Sequence, residues 1–445
     1  MTLLPSQERM IPFALRHREA LLACGMGVGK TRATLEVIRQ LIDGLEIGAA
    51  VIVAPLRVSL LTWPAEAARW TPELKVVSLR TEAGQQAWRD GTADIYLINY
   101  EMLPQFTEKC LKGKRRIPAH LIVWDEIHKL KDPSGMRVKR FFPYRKLFHR
   151  HLGLSGTIAP NSILEVFNQV KVLDGGERLG TGYSAFRDRY TTADFMGFKF
   201  TVNEGAADKI MERISDMTLV IKGADWDVTV EDIDLSLPPE VMNQYKKLEK
   251  KFLLKVERRE IVALSAGVLV SKLRQFTSGA AYVTEEDESR GVLPLHDVKI
   301  NALKKLHDSI KREPMLVLVQ YRHELDRILK AFPYAREFDV RGMAEWDAGA
   351  IPMWVSHPDS ISTGLNLQKS CCKVCWMSGT YRGDTYPQVN ARVARPGQTR
   401  PVRIYRMIVR GTIDEAIIES LRTKGRNQDS ALEILMNLRI LAENR

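Results

Sequence analysis

Leu21-Leu22-Ala23-Cys24-Gly25-Met26-Gly27-Val28-Gly29-Lys30-Thr31 passes from an apolar run of strand length, through spaced glycines, to a Lys-Thr pair that opens a helix-prone stretch. Glycines let backbone N–H groups approach an anion closely, and the positive end of a helix favours negative charge at the same place. The order strand, glycine turn, helix therefore predicts a phosphate-binding loop on a parallel α/β sheet. The strictest form of such a loop has glycine where Cys24 stands. Gly25, Gly27 and Gly29 are the candidates for cradling phosphate.

Further along, Leu121-Ile122-Val123-Trp124-Asp125-Glu126-Ile127-His128 supplies an apolar strand that ends in two carboxylates. A solvated helix cap would explain the acids but not the buried strand feeding them. Together the two stretches predict a nucleoside triphosphatase site. Lys30 would reach the β- and γ-phosphates, Thr31 would bind Mg²⁺ through its hydroxyl, and Asp125 would hold the same Mg²⁺ through water. Glu126 would orient and deprotonate the attacking water.

The chain has 445 residues, 45% hydrophobic and 27% charged, which suits two or three globular domains and excludes disorder at scale. No run approaches the ~18 apolar residues of a membrane span, and Met1-Thr2-Leu3-Leu4-Pro5 lacks a secretory leader's basic start and apolar centre. Five cysteines, an odd number, argue against a disulfide framework and for a reducing, intracellular setting. Lys plus Arg total 66 against 54 Asp plus Glu, a formal net charge of +12. That surplus suits a polyanionic partner, because neutralising phosphates releases condensed counterions. Lys112-Gly113-Lys114-Arg115-Arg116 is the densest basic cluster and reads best as a solvated loop.

Short β-branched runs alternate with helical stretches: Ala50-Val51-Ile52-Val53-Ala54, Ile95-Tyr96-Leu97-Ile98, Leu121 to Trp124, and Leu152-Gly153-Leu154-Ser155. This predicts one parallel sheet with helices on both faces. Residues 223–232 break the pattern and read as an interdomain linker. A Lys- and Glu-rich helical region follows, to about Gln275, and then the acidic loop Glu285-Glu286-Asp287-Glu288. A second alternation runs through Met315 to Val319, Met353 to Ser356, Val374 to Met377 and Val402 to Tyr405, and predicts a second parallel sheet. The expected domains are thus 1–224, a linker and helical segment at 225–296, and 297–445. From Thr412 an amphipathic helix places Ile413, Ala416, Ile417 and Leu421 on a core-facing stripe. Cys371-Cys372-x-x-Cys375 lacks the four-ligand set zinc wants and reads as a buried strand.

One phosphate loop and two sheets imply that the second domain completes the site. Gln388-Val389-Asn390-Ala391-Arg392-Val393-Ala394-Arg395-Pro396-Gly397-Gln398 suits that role, since Arg392 and Arg395 share a face if the segment is helical. A guanidinium against the γ-phosphate is worth ~10³–10⁵ in rate.

At this point the chain resembles the Swi/Snf-like branch of the superfamily-two helicases over nearly its whole length. Leu4-Pro5-Ser6-Gln7 is similar to the adenine-reading glutamine motif, and Gly25 to Thr31 to motif I, which does not require glycine at Cys24. Val51 to Leu56 with Trp63 and Trp70 resembles motif Ia, and Ile98-Asn99-Tyr100-Glu101 the next DNA-contacting segment. Asp125-Glu126-Ile127-His128 differs from the usual motif II only at its third place. Leu154 to Asn161 is similar to motif III, Ser362-Thr363-Gly364-Leu365-Asn366-Leu367 to motif V, and Gln388 to Gln398 to motif VI.

The resemblance implies two RecA-like lobes, an ATP·Mg²⁺ site in the cleft between them, and movement along double-stranded DNA. It adds Gln7, Gly364 and Gln388 to the nucleotide-binding set. It gives Arg57, Asn99, Tyr100, Gln320, Tyr321, Thr363 and Arg382 as contacts to the nucleic-acid backbone, and Ser155 and Thr157 as the coupling between hydrolysis and DNA. Two departures stand out: Ala391 and Ala394 replace the Asp and His that usually precede the motif VI arginines, and Ser378 to Asp384 replaces an acidic-aromatic segment. Short insertions and the lack of a recognisable appended module point to a compact bacterial or viral motor in the cytoplasm of a bacterial cell or phage-infected host. A strand-separating helicase on DNA or RNA, acting on single strands, and a nucleic-acid-binding protein with little ATPase activity remain as alternatives. A protein partner also stays open.

Overall fold

The computed structural model describes residues 2–443 except 133–134, 157, 160–161, 195–199, 224–225, 258–262, 285–289, 362–364, 381–384 and 423–429. Thr157, Thr363, Gly364, Arg382 and the acidic loop 285–288 therefore lie outside the described residues. The chain divides into two compact units, Met1–Ala224 and Asp225–Arg445.

In the first unit seven parallel strands form one sheet: β1 (Glu19–Cys24), β2 (Ala50–Ala54), β3 (Val76–Ser78), β4 (Ile95–Asn99), β5 (Leu121–Asp125), β6 (Arg150–Ser155) and, after the small hairpin β7 (Thr191–Ala193) and β8 (Phe200–Val202), β9 (Thr218–Ile221). Their order is β3-β4-β2-β5-β6-β1-β9. Alternate residues of one strand feed different cores. Val51, Val53, Ile122 and Trp124 join one apolar layer, whereas Ala50, Ile52, Leu121 and Val123 join the other. A strand buried on both faces must be apolar throughout, which is why β2 and β5 were legible as continuous runs. The phosphate-binding candidates follow β1 and the acids end β5, so both stand at the C-terminal edge of the sheet, where ligands of open α/β folds bind.

The second unit holds a six-stranded parallel sheet. Its strands are β10 (Val228–Leu235), β13 (Met315–Leu318), β14 (Ala335–Glu337), β15 (Met353–Ser356), β16 (Lys373–Trp376) and β17 (Val402–Val409), with the hairpin β11 (Ala280–Thr284) and β12 (Arg290–Pro294) between β10 and β13. The order is β10-β17-β16-β13-β15-β14. The linker expected at 223–232 is corrected here: from Val228 the chain is a strand, paired in parallel with β17. It has one strand neighbour, and Val228 to Glu231 are exposed, so it lacks the continuous burial that marked the other strands.

Helices Pro239–Glu257 and Ala263–Ser278 occupy the expected helical segment. Tyr245, Val270 and Leu273 pack there with Ile413, Ala416 and Ile417 of the helix Ile413–Arg422. Cys371, Cys372 and Cys375 are buried in and before β16. Among the described residues no helix is long and apolar enough to cross a membrane.

Candidate nucleotide site

Gly27 and Gly29 have φ of 78° and 80°, in the left-handed region that glycine adopts without steric cost. A Cβ on Gly29 would also lie 2.3 Å from the Gln7 amide nitrogen. The helix Pro5–Arg16 grips the loop through two side chains: Ser6 Oγ donates to the Val28 carbonyl at 2.9 Å, and Gln7 Nε2 donates to the Gly29 carbonyl at 3.1 Å. Gln7 Oε1 meanwhile accepts from the Leu4 N–H at 2.9 Å. The expected adenine reader thus braces the phosphate loop, with its amide engaged on both sides. Lys30, first residue of the helix Lys30–Asp43, donates to the carbonyls of Cys24 at 2.6 Å and Gly25 at 3.0 Å. Its ammonium therefore lies at the loop's mouth, and Thr31 follows it in the first turn.

Asp125 ends β5 beside Leu154 of β6. Its Oδ2 accepts from the indole N–H of Trp63 at 2.9 Å, and its main-chain carbonyl accepts from the Tyr100 hydroxyl at 2.8 Å. Burial, and next the neighbouring Glu126 charge, push the Asp125 carboxyl up to about 6, against the opposing pull of Trp63 and Lys30. Glu126 has φ of 55°, a left-handed conformation that costs a non-glycine residue about 1–3 kcal/mol. Its Oε2 lies 3.3 Å from His128 Nδ1. Two adjacent carboxylates that disfavour each other's charge suit a cation, so the donor set fits Mg²⁺ held by Asp125 and Thr31.

The remaining candidates divide. Ser155 ends β6 fully buried. Arg57 is half-buried before the turn Val58–Thr62. Asn99 and Tyr100 are 2% and 0% exposed, and their side chains serve internal bonds. Asn99 accepts from Arg80 at 3.1 Å and donates to Glu101 at 2.6 Å. Tyr321 donates its hydroxyl to the Ser271 carbonyl at 3.1 Å and stacks on His323. Gln320 lines a cavity of about 240 Å³ with Arg322, Ser356 and His357.

Arg392 and Arg395 are not on a helix. The helix Thr385–Asn390 stops first, and the chain tightens into turns in which Arg392 N–H reaches back only to the Val389 carbonyl. Those turns are laced to the segment before them. Leu367 N–H donates to the Arg392 carbonyl at 3.0 Å, and Arg395 Nη1 donates to the Leu365 carbonyl at 2.9 Å. Gln388 is half-buried on the preceding helix. Sequence reasoning missed the Trp63 bond to Asp125, Gly223 beside the phosphate loop, and Glu324. No local pattern marks the first two, whose partners the fold brings near, whereas Glu324 stands three and four residues after the N–H groups it accepts from, a capping-box spacing that could have flagged it.

The model of the SNF2-related domain matches residues 7–279. Protein p41 of the Acyrthosiphon pisum secondary endosymbiont phage 1 is 32% identical over 97% of this chain and 98% of its own length, in keeping with the viral or bacterial type expected. The mouse SWI/SNF-related matrix-associated actin-dependent regulator of chromatin subfamily A member 1 is 23% identical over 91% of this chain, which spans 40% of that protein. The solved Sulfolobus solfataricus SWI2/SNF2 ATPase core in complex with dsDNA is 18% identical, with 99% of this chain and 95% of that one covered and a TM-score of 0.46. With a phosphate loop and an acidic strand end on one parallel sheet, a second parallel sheet beyond it, and a family model over most of the chain, the protein belongs to the SNF2-related domain family, ATPases of helicase superfamily two.

Proposed function

We propose that this chain hydrolyses ATP to move along double-stranded DNA, with residues 1–224 as the ATP-binding lobe, 225–296 as the connecting and helical segment, and 297–445 as the arginine-bearing lobe. The observation that carries the reading is the juxtaposition of a glycine loop, its lysine and a half-buried Asp-Glu pair at one sheet edge. Family membership and the net charge of +12 support a DNA partner. The phage relative supports a bacterial cytoplasm as the setting.

Gly25, Gly27 and Gly29 would present backbone N–H groups to the phosphates, and Lys30 would exchange its two carbonyl partners for phosphate oxygens. Mg²⁺, when bound, supplies charge neutralisation of the polyphosphate. Asp125 and Thr31 would hold it, and Glu126 would accept the proton of the attacking water. Arg392 and Arg395 would stabilise the γ-phosphate charge, and Gln388 and Gly364 would join the nucleotide-binding set. Arg57, Gln320, Tyr321, Thr363 and Arg382 would contact the DNA backbone, joined by the main chain at Asn99 and Tyr100. Ser155 and Thr157 would link the carboxylates to that surface.

The test is ATP turnover by wild type and Glu126→Gln with no nucleic acid, single-stranded DNA, duplex DNA and duplex RNA. Duplex DNA should stimulate most, and the substitution should abolish turnover. Triplex displacement without unwinding of a plain duplex should follow. Preference for single strands or RNA, or robust strand separation, would establish a helicase instead, and no turnover on any nucleic acid a binding protein.

A further inference from the structure

Pro64 cannot donate an i→i−4 bond, and its ring collides with the carbonyl four residues back. The chain ahead of it widens accordingly into a π turn, Val58–Thr62, closed by the Trp63 N–H to the Val58 carbonyl. Two consequences follow from that one turn. Leu60 and Leu61 are pushed outward, 44% and 42% exposed, while Trp63 turns inward, 1% exposed, and donates to Asp125 Oδ2. The segment after β4 reaches the same residue: Tyr100, fully buried, donates to the Asp125 carbonyl. Arg57, just ahead of that turn, and Asn99 with Tyr100, the first-unit residues proposed above to contact nucleic acid, thus adjoin or include residues bonded to Asp125, Trp63 at its carboxylate and Tyr100 at its main-chain carbonyl, whereas Ser155 is enclosed in β6.

We infer that Trp63 and Tyr100 are positioning residues that couple the nucleic-acid surface of the first unit to Asp125, a step that rests on the function proposed above. A π turn differs from an α turn by one residue of register, so pressure on Leu60 and Leu61 that tightened it would rotate Trp63 and release or re-aim the indole N–H. Asp125 would then change orientation with the duplex bound or absent. Reciprocity requires that the duplex and the nucleotide alter each other's affinity by the same factor.

The full-length protein is titrated with a fluorescent, non-hydrolysable ATP analogue and Mg²⁺, with and without a short DNA duplex, and duplex affinity is measured by anisotropy with and without the analogue. Wild type is expected to show a coupling factor of about 5 or more. Trp63→Phe keeps a six-membered aromatic ring and deletes the indole donor, and should bring the factor below about 2 in both titrations. Tyr100→Phe should lower it as well. A coupling factor unchanged in Trp63→Phe overturns the inference, and if that variant fails to fold, an unchanged factor in Tyr100→Phe overturns it. Duplex binding by wild type with no coupling overturns the inference alone, whereas no duplex binding overturns the function on which it rests.

Discussion

Gly25 and Gly223 stand backbone against backbone beside the phosphate loop. A Cβ on Gly25 would lie 2.2 Å from Gly223 N and 2.4 Å from its Cα, while Gly25 N–H donates to the Ile221 carbonyl at 2.8 Å. The reverse substitution meets nothing nearer than Met26 N and O at 3.4 Å, and Gly223 has no left-handed φ. The pair is therefore asymmetric. Gly25→Ala should cost about 1–3 kcal/mol of stability by overpacking and weaken ATP-analogue binding as the loop shifts. Gly223→Ala should be neutral or stabilising by up to about 1 kcal/mol, through the unfolded chain's lost freedom. Denaturant unfolding and analogue titration of both variants check this, and equal losses would show the contact to be irrelevant.

How much of this was legible depended on where each residue's partner lies in sequence. The β2 run Ala50 to Ala54 declares itself because both its faces are buried, and Lys30 and Asp125 follow from the strands that carry them. Strand β10 did not, since its pairing with β17 joins residues from Val228↔Val402 to Leu235↔Val409, and its exposed first half resembles a loop. The bond from the Tyr100 hydroxyl to the Asp125 carbonyl joins two segments 25 residues apart, and nothing in the local sequence of either announces it. Arg392 and Arg395 have helical spacing, but the turns after Asn390 are fixed by bonds no periodicity encodes: Gln398 donates to the carbonyls of Val393, Gln368 and Cys371.

Lys299 is 1% exposed and donates to Asp414 Oδ2 at 2.7 Å and to the Met377 carbonyl at 2.8 Å. Asp414 also accepts from Thr277 Oγ1 at 2.9 Å and from Val409 N–H at 3.1 Å. One buried ion pair thus ties the ends of β16 and β17 to the helices Ala263–Ser278, Val298–Ser309 and Ile413–Arg422. Lys299→Met should destabilise the second unit by about 3–5 kcal/mol, because it strands a buried carboxylate. Lys299→Met combined with Asp414→Asn should lose less than the sum of the two singles. Strict additivity in urea unfolding would mean that the pair does not act as a unit.

Glu324, 2% exposed, serves two loops at once. Its Oε2 accepts from the N–H groups of Gln320 at 2.8 Å and Tyr321 at 3.0 Å, and its Oε1 accepts from the Ser378 hydroxyl. The loop after β13 and the loop after β16 are therefore pinned to one carboxylate. Glu324→Gln presents an amide where an acceptor is needed, and should cost about 1.5–3 kcal/mol. If Gln320 and Tyr321 contact DNA, duplex affinity should also fall, with basal ATP turnover less affected. Ser378→Ala removes only one of the three donors and should do less on both counts. Equal effects from the two variants would contradict the shared-anchor reading.

His151 and His323 are each 2% exposed, one in β6 and one in the helix Arg322–Ala331. Burial, aided by Arg145, lowers His151 to about 3, and burial, aided by Arg327, lowers His323 to about 4, from an ordinary 6.5. Both rings are neutral when folded and free to protonate when unfolded, so below 6.5 the unfolded state binds more protons. Their contribution is complete above pH 6.5 and is lost as pH falls toward the folded values. The slope is up to about 1.4 kcal/mol per pH unit per ring, or about 2 kcal/mol for each at pH 5. His151→Phe should flatten the acid side of the first unit's stability curve, and His323→Phe that of the second, with little change in slope above pH 7. Urea unfolding from pH 5 to 8, followed by probes in each unit, measures both slopes, and a variant as acid-sensitive as wild type would rule its ring out.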